Sequence, residues 1–310
     1  MMSAQSTLSV VVPAYRSAAS LPHLLAALAK FLPTVANTFE VVVVDDCGGG
    51  GTWEVIRDLA NTYPWVRGFA LARNSGQHNA LLCGILAARH DLIVTMDDDL
   101  QHPPALIGDL LAALRDDIDV VYGYPLIERH GLWRDLASRL TKRALALASG
   151  NRDVHRTSAL RLFRGRLREG FARYRATAVS IDVLLSWETG RMTYVPVQFA
   201  PRPYGTSTYT VRALMAHALN MITGYTVWPL RLASWFGFLF MALGFAVALF
   251  ALVNWLVRGS AVPGFAFLAS TVAVFAGVQL FCLGLIGEYL ARMYHRTLDR
   301  PPYTVRESVP

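Results

Sequence analysis

The sequence predicts an α/β fold with a mainly parallel sheet, followed by an amphipathic interface helix and a two-helix transmembrane hairpin. Three observations carry that prediction. Short β-branched runs alternate with helical segments over residues 1 to about 200. Carboxylates gather where those runs end. Residues 232–257 and 259–287 contain no Asp, Glu, Lys or Arg.

The run LSVVVPAY (8–15) is apolar and ended by proline, which suits a buried parallel strand. A helix follows over about 20–31, with Ser20 as its cap and Pro22 in its first turn. FEVVVVDD (39–46) is a second strand, and CGGGGTWEVIRDLA turns through glycines into another helix. VRGFAL is a third strand, HNALLCGILAAR a helix, DLIVTMD a fourth strand, PPALIGDLLAALRD a helix and IDVVYGY a fifth strand. Doubly wound sheets of this kind bind ligands beyond the carboxyl ends of their strands. Asp45, Asp46, Asp97, Asp98 and Asp99 all fall at such ends, so one crevice is expected to collect them.

Residues 129–175 read as a basic helical and loop region. The stretch from Met192 to Ile222 reads as a strand, a turn and an amphipathic helix. In that helix Val211, Leu214, Met215, Ala218, Leu219 and Ile222 recur at helical spacing, fitting a membrane interface. The first uncharged window of 26 residues spans about 39 Å as a helix, enough to cross a hydrocarbon core of about 30 Å. Arg202, Arg212 and Arg231 precede the hairpin, Arg292, Arg296, Arg300 and Arg306 follow it, and only Arg258 stands in the connecting turn. The positive-inside bias places both termini in the cytoplasm, at the inner membrane. No signal peptide precedes the first strand. The expected division is a catalytic domain over 1–205, an interface helix region over 206–229, the two membrane helices over 230–290 and a cytoplasmic tail over 291–310.

Cys47, Cys83 and Cys282 lack metal-ligand spacing and read as reduced thiols. The net charge of +7 is concentrated beside the membrane segments and in 129–175, which favours anionic or phosphate-bearing lipid over nucleic acid. The segment MDDDLQHPP (96–104) sets three carboxylates side by side, and a cation opposite them relieves the repulsion. In an extended chain Asp97, Asp99 and Gln101 point one way and Asp98 the other, an oxygen set suited to Mg²⁺ or Mn²⁺ with a diphosphate. GGGG (48–51) is not followed by Lys-Ser or Lys-Thr, and no G-x-G-x-x-G follows the first strand, which disfavours P-loop ATPases and dinucleotide enzymes. His78 and His102 read as hydrogen-bonding pocket or turn residues rather than ligands.

VVVPAY, VVVVDD, ARNSGQHNALLCGI, MDDDLQHPP, RPYGTSTY and GEYLARMYHRTLDRPPY occur in the order seen in the polyprenyl-phosphate glycosyltransferases. The chain resembles that inverting family over nearly its whole length, and bacterial undecaprenyl-phosphate aminoarabinose and glucose transferases most. Dolichyl-phosphate mannose synthases belong to the same family. The resemblance implies a GT-A fold, which is Rossmann-like, and transfer of a sugar from a nucleotide-sugar, UDP-linked by preference, to a polyprenyl phosphate. It implies that Pro13, Tyr15 and Asp45 line the nucleotide pocket, with Asp46, Asp98 and the stretch from Arg73 to Gln77 nearby. Asp97, Asp99 and Gln101 match the D-x-D-x-Q segment that holds metal and diphosphate. Arg202, Gly205, Ser207 and Tyr209 match a gating loop over the donor and acceptor phosphates. Arg134 and Ser138, with Arg129 beside them, match a basic helix that holds the lipid phosphate. A homotetramer, and a separate flippase downstream, are further implications.

The chain departs from the family at three places. Arg16 and Ser17 stand where Asn and an acidic residue are common, and DDCGGGG replaces DDGSxD. HRTSALR puts His155 where an Asp usually precedes the TSG segment, so His155 or Asp153 must supply any base or positioning role of that residue. Two rival readings remain at this level: a GDP-mannose-dependent enzyme, and a catalytically silent membrane scaffold that kept the fold. A processive synthase is disfavoured because its Q-x-x-R-W motif is absent.

Overall fold

The structure is a computed structural model of the full chain and describes residues 7–125, 156–172, 174, 179–200, 226–258 and 265–310. Strands β1 (Thr7–Ala14), β2 (Thr38–Asp45), β3 (Val66–Leu71) and β4 (Leu92–Thr95) alternate with helices α1 (Leu21–Phe31), α2 (Thr52–Thr62) and α3 (Gln77–Ala87). After β4 come α4 (Leu106–Ala113), β5 (Val120–Pro125), β6 (Arg161–Arg164), α5 (Arg168–Phe171), α6 (Ile181–Glu188) and β7 (Met192–Val197). Two long helices, α7 (Trp228–Arg258) and α8 (Phe265–Thr297), precede a last strand, β8 (Val305–Val309).

The eight strands form one sheet in the order β7-β5-β6-β4-β1-β2-β3-β8. β1 is the centre, pairing in parallel with β2 and with β4. Val10, Val11 and Val12 are fully buried, because helices cover both faces and each side of the strand meets a core. One core contains Leu21, Leu24, Leu25 and Leu28 of α1 with Ile107 and Leu110 of α4. The other contains Leu81, Leu82 and Ile85 of α3 with Leu184 and Leu185 of α6. α3 sits so close to the sheet that a Cβ on Gly84 would fall 2.4 Å from Val11 Cγ1.

Three features differ from the sequence expectation. β5 does not pair with β4, because the antiparallel β6 lies between them; the basic stretch expected to be helix and loop contains that strand. Its short RLFR run carries too little periodicity to be read as a strand, and it is stabilised by burial on both faces. Ser20 holds the N-cap position of α1 but makes no side-chain cap; its hydroxyl donates to Ser17 O at 3.3 Å. The expected tail over 291–310 is not separate, since β8 pairs antiparallel with β3 and closes that edge of the sheet. The interface helix expected over 206–229 lies outside the described residues up to 225.

The hairpin helices contain apolar spans over Trp228–Ala251 and Val274–Tyr294, with none of either window buried. Helices of that length and exposure are candidate membrane spans and do not fill a core. Because β8 shares a sheet with β1, the chain returns to the sheet after the two long helices. β7 runs parallel to β5, and β8 antiparallel to β3, so β7 departs from and β8 arrives at the rim formed by the carboxyl ends of β1, β2 and β4. That rim therefore holds the end of β7 and the start of β8, the strands that flank the two long helices in sequence.

At the opposite end of the sheet Glu40 is 5 % exposed and accepts from Ser9 Oγ at 2.7 Å, Arg67 Nη1 at 2.8 Å and Arg89 N at 2.6 Å. Burial alone would raise its carboxyl, but these hydrogen bonds and the Arg67 charge outweigh it and hold the group below the usual glutamate value of 4.5. A depressed carboxylate stabilises the fold above its unfolded-state pKa and loses that contribution as pH falls through the folded one. Glu40→Gln should therefore cost about 1–3 kcal/mol at neutral pH. In denaturant unfolding the gap from the native protein should hold down to pH 4.5 and close below it.

Candidate active site

From β1 the chain winds through β2 to β3 and then returns to place β4 on the other side of β1. The loops leaving β1 and β4 diverge at this switch point and open a crevice. A cavity of about 360 Å³ lies there. Pro13, Ala14 and Tyr15 line it from β1, and Asp46 from the end of β2. Asn74, Gly76 and Gln77 line it between β3 and α3, and Asp97, Asp98 and Asp99 after β4.

Each carboxylate has a different setting. Asp46 accepts from Ser75 N at 2.7 Å and Gly76 N at 2.8 Å, one bond to each oxygen, so it anchors the first turn of α3. Asp97 Oδ1 accepts from Gln77 Nε2 at 2.7 Å. Asp98 accepts from the Ser17 hydroxyl, whose oxygen in turn accepts from Tyr15 N at 2.9 Å. Asp99 Oδ1 accepts from Gln101 N at 3.1 Å. Asp45 is buried behind the cavity rather than on its wall, with its Oδ1 accepting from Gly48 N at 3.1 Å.

The expected alternation of Asp97, Asp99 and Gln101 along an extended chain does not form. β4 ends at Thr95, the following residues bend, and Leu100 has φ +61°. Asp98 consequently joins its two neighbours on the wall instead of pointing away. Gln101 is not on that wall; its backbone oxygen accepts from Ala200 N at 2.9 Å, tying the segment after β7 to the acidic turn. Arg73 is likewise absent from the lining, next to Asn74. His78 Nδ1 accepts from Ile181 N at 3.3 Å, and the buried His102 packs edge-on to Phe199 at 4.6 Å while its Nδ1 accepts from Asp97 N at 3.4 Å. Arg129, Arg134, Ser138, Asp153, His155, Arg202, Gly205, Ser207 and Tyr209 lie outside the described residues.

Asn74 on the wall falls in the expected stretch from Arg73 to Gln77; sequence reasoning missed Ala14 there, and Ser17 as the partner of Asp98. The signal for Ser17 was its replacing an acidic residue two positions after Tyr15. A carboxylate there would face Asp98, whereas a hydroxyl can donate to it.

Four carboxylates line the cavity, and among the described residues no Lys or Arg does. Burial pushes the Asp45, Asp46 and Asp98 carboxyls above the ordinary range; hydrogen bonds oppose this, while Asp45 acting on Asp46, and Asp99 on Asp98, add to it. Hard oxygen donors with excess negative charge fit a divalent cation such as Mg²⁺ or Mn²⁺. Among the described residues no group of three or more His, Cys, Asp and Glu side chains closes on one ion. The fit is thus to a cation held by one or two carboxylates and completed by ligand oxygens, not to a protein cage.

The anchoring by Asp46 is directly testable. Asp46→Ala removes both acceptors, and the amides of Ser75 and Gly76 should exchange with deuterium about tenfold faster or more, while those of β2 stay protected. Unchanged exchange at Ser75 and Gly76 would refute the anchoring.

Residues 9–171 match glycosyl transferase family 2, and residues 228–293 match the GtrB C-terminal hairpin. An undecaprenyl-phosphate 4-deoxy-4-formamido-L-arabinose transferase of Aeromonas hydrophila is 33 % identical over 305 residues, covering 97 % of this chain and 93 % of the relative. The protein of that name from Pseudomonas paraeruginosa is 34 % identical over 304 residues, covering 97 % and 90 %. Among solved structures, glucosyl-3-phosphoglycerate synthase from Mycobacterium tuberculosis, in complex with Mn²⁺, UDP and phosphoglyceric acid, superposes with a TM-score of 0.50 at 19 % identity. That match covers 70 % of this chain and 76 % of the other and supports the GT-A fold. With the sheet, the acidic crevice and the exposed hairpin in place, the chain belongs to glycosyl transferase family 2, as a membrane-associated enzyme of the polyprenyl-phosphate glycosyltransferases.

Proposed function

We propose that this enzyme transfers one sugar from a nucleotide-sugar, UDP-linked by preference, to undecaprenyl phosphate or a related polyprenyl phosphate on the cytoplasmic face of the membrane. The observation that carries the reading is the position of the acidic cavity. It opens on the rim of the sheet that holds the end of β7 and the start of β8, the strands that flank the membrane helices in sequence, so a soluble donor and a lipid headgroup can meet there. The cytoplasmic assignment rests on the arginines flanking the hairpin.

In this reading Pro13, Tyr15 and Asp46 border the nucleotide, with Asp45, Arg73 and Gln77 close by. Asp97 and Asp99 hold Mg²⁺ or Mn²⁺ together with the donor diphosphate; Gln101 contributes through the backbone of its turn. When bound, the cation neutralises charge on the departing nucleoside diphosphate. Gln77 holds Asp97 and Ser17 holds Asp98, which keeps the carboxylates oriented before the donor arrives. The acceptor is a phosphate monoester, already an oxyanion at neutral pH. Its oxygen attacks the anomeric carbon in line, the bond to the diphosphate oxygen breaks, and configuration inverts. Little general-base help is needed, so positioning by Arg129, Arg134, Ser138 and Ser207 matters more, with His155 or Asp153 in a supporting role. Arg202, in the segment that follows β7 in sequence, is assigned to stabilise the diphosphate as it leaves.

The proposed organisation keeps a catalytic domain over 1–205, an interface helix region over 206–229, and membrane helices within 230–290, with the residues after 291 returning to the sheet. A homotetramer, and flipping of the product by another protein, complete the proposal.

Sugar transfer by detergent-solubilised enzyme from a panel of UDP- and GDP-sugars to undecaprenyl phosphate tests it. The sugar in the relatives' names makes its UDP form the first donor to try. Product should form with Mg²⁺ or Mn²⁺ and vanish with chelator; no product from any donor, by an enzyme that binds nucleotide, would favour the silent scaffold. Asp97→Asn, Asp99→Asn and Arg202→Ala should each lower kcat by about 10²–10³-fold. In thermal unfolding, UDP at 100 times its Kd should stabilise the native enzyme by about 2.7 kcal/mol, and only when a divalent cation is present.

A further inference from the structure

The loop between β2 and α2 is costly to hold in place. Cys47, Gly49, Gly50 and Gly51 have φ of +55°, +65°, +64° and +78°, and glycine loses more freedom on ordering than any other residue. It also packs hard against the cavity wall: a Cβ on Gly48 would lie 2.5 Å from Arg16 N, and Arg16 Nε donates to Gly48 O at 3.2 Å. Where the loop enters α2, Thr52 Oγ1 donates to Gly49 O at 3.0 Å and accepts from Ser17 N at 3.1 Å. Ser17 in turn holds Asp98.

Both flanks of this loop are gripped by the end of the chain. On one flank Trp53, buried in the first turn of α2, donates through Nε1 to Glu307 Oε2 of β8 at 2.7 Å. On the other, Ala72 N donates to Thr304 O at 2.8 Å, and Cys47 Sγ lies 4.0 Å from Ala72 O. The approach to β8 is firmly seated, with Pro302 buried and Tyr303 packed on the core shared by α3 and α6. Val309 completes the docking, since a Cβ on Gly68 of β3 would lie 2.8 Å from Val309 Cγ2.

We propose that β8 is a working part of the donor pocket, with Glu307 as a positioning residue. It fixes the first turn of α2, and through Thr52 and Ser17 the glycine loop and Asp98, so that nucleotide binding depends on the segment that follows the membrane helices. This rests on the reading of the cavity as the nucleotide site. The charge of Arg306, next to Glu307, also acts on Asp45, opposing the upward push of burial on that carboxyl. A loop with four glycines is costly to hold in one shape, and the tail adds to the bonds that Asp45, Thr52 and Arg16 give it.

The experiment uses full-length protein in detergent, with UDP and Mg²⁺ as the binding probe and separate KM values for donor and lipid acceptor. Glu307→Ala and Trp53→Phe should each raise the UDP Kd and the donor KM by about fivefold, leaving kcat and the acceptor KM within about twofold. Glu307→Gln, which still presents an oxygen to Trp53 Nε1, should behave as the native enzyme. Unchanged UDP binding in Glu307→Ala, or an equal shift in the acceptor KM, would overturn the inference even if the thermal midpoint fell. A native enzyme that binds neither UDP nor GDP would instead overturn the nucleotide-site reading and the inference with it.

Discussion

The parallel pairing of β1 with both β2 and β4 is the constraint on which the rest of the molecule depends. Parallel neighbours need crossovers, so helices cover both faces and the strands become apolar throughout. The same geometry sends every parallel strand out at one rim. Polar residues that follow a buried strand must emerge there, and the reversal of winding about β1 leaves a crevice between their loops. Asp46 and the three aspartates after β4 share a cavity because four separate stretches of sequence end on one edge.

Such a concentration of carboxylates costs stability, since burial and mutual repulsion both disfavour their charged forms. The protein relieves only part of it. The Ser75 and Gly76 amides hold Asp46, the Gln77 side chain holds Asp97 and the Ser17 hydroxyl holds Asp98, and among the described residues no basic side chain lines the cavity. At the far end of the sheet the balance is complete: Glu40 meets Arg67, and Asp119 meets Arg166 at 2.6 Å and Arg191 at 2.9 Å. Among the described residues, carboxylates at one end of the sheet meet basic side chains, whereas those in the crevice are held by amides and a hydroxyl.

The membrane hairpin and the catalytic sheet are joined at that same rim. From Thr297 at the end of α8 to Val305 at the start of β8 the chain spans at most about 29 Å, so the hairpin stays on a short tether to the sheet. Because β8 closes the sheet edge beside the glycine loop, the anchor and the pocket are parts of one structure rather than a domain on a leash.

Much of this was legible in the sequence. Val-rich runs ending in Asp, and two uncharged windows, carry their meaning in local composition, and so the first four strands, the intervening helices, the hairpin and the acidic rim could be read without coordinates. The ordered motifs pointed to the family for the same reason. What only the tertiary structure decided depends on contacts distant in sequence. RLFR and VRESV are too short and too mixed to announce themselves, and they become strands because β4 and β3 present free edges to them. The chain leaves the strand at Thr95 and bends, so Asp98 stands on the cavity wall against the simple alternation of an extended chain. The pairing of Trp53 with Glu307 joins residues 254 positions apart, and no local pattern records it. Composition and periodicity determined the layers and the rim; closure of the sheet determined which side chains stand together on it.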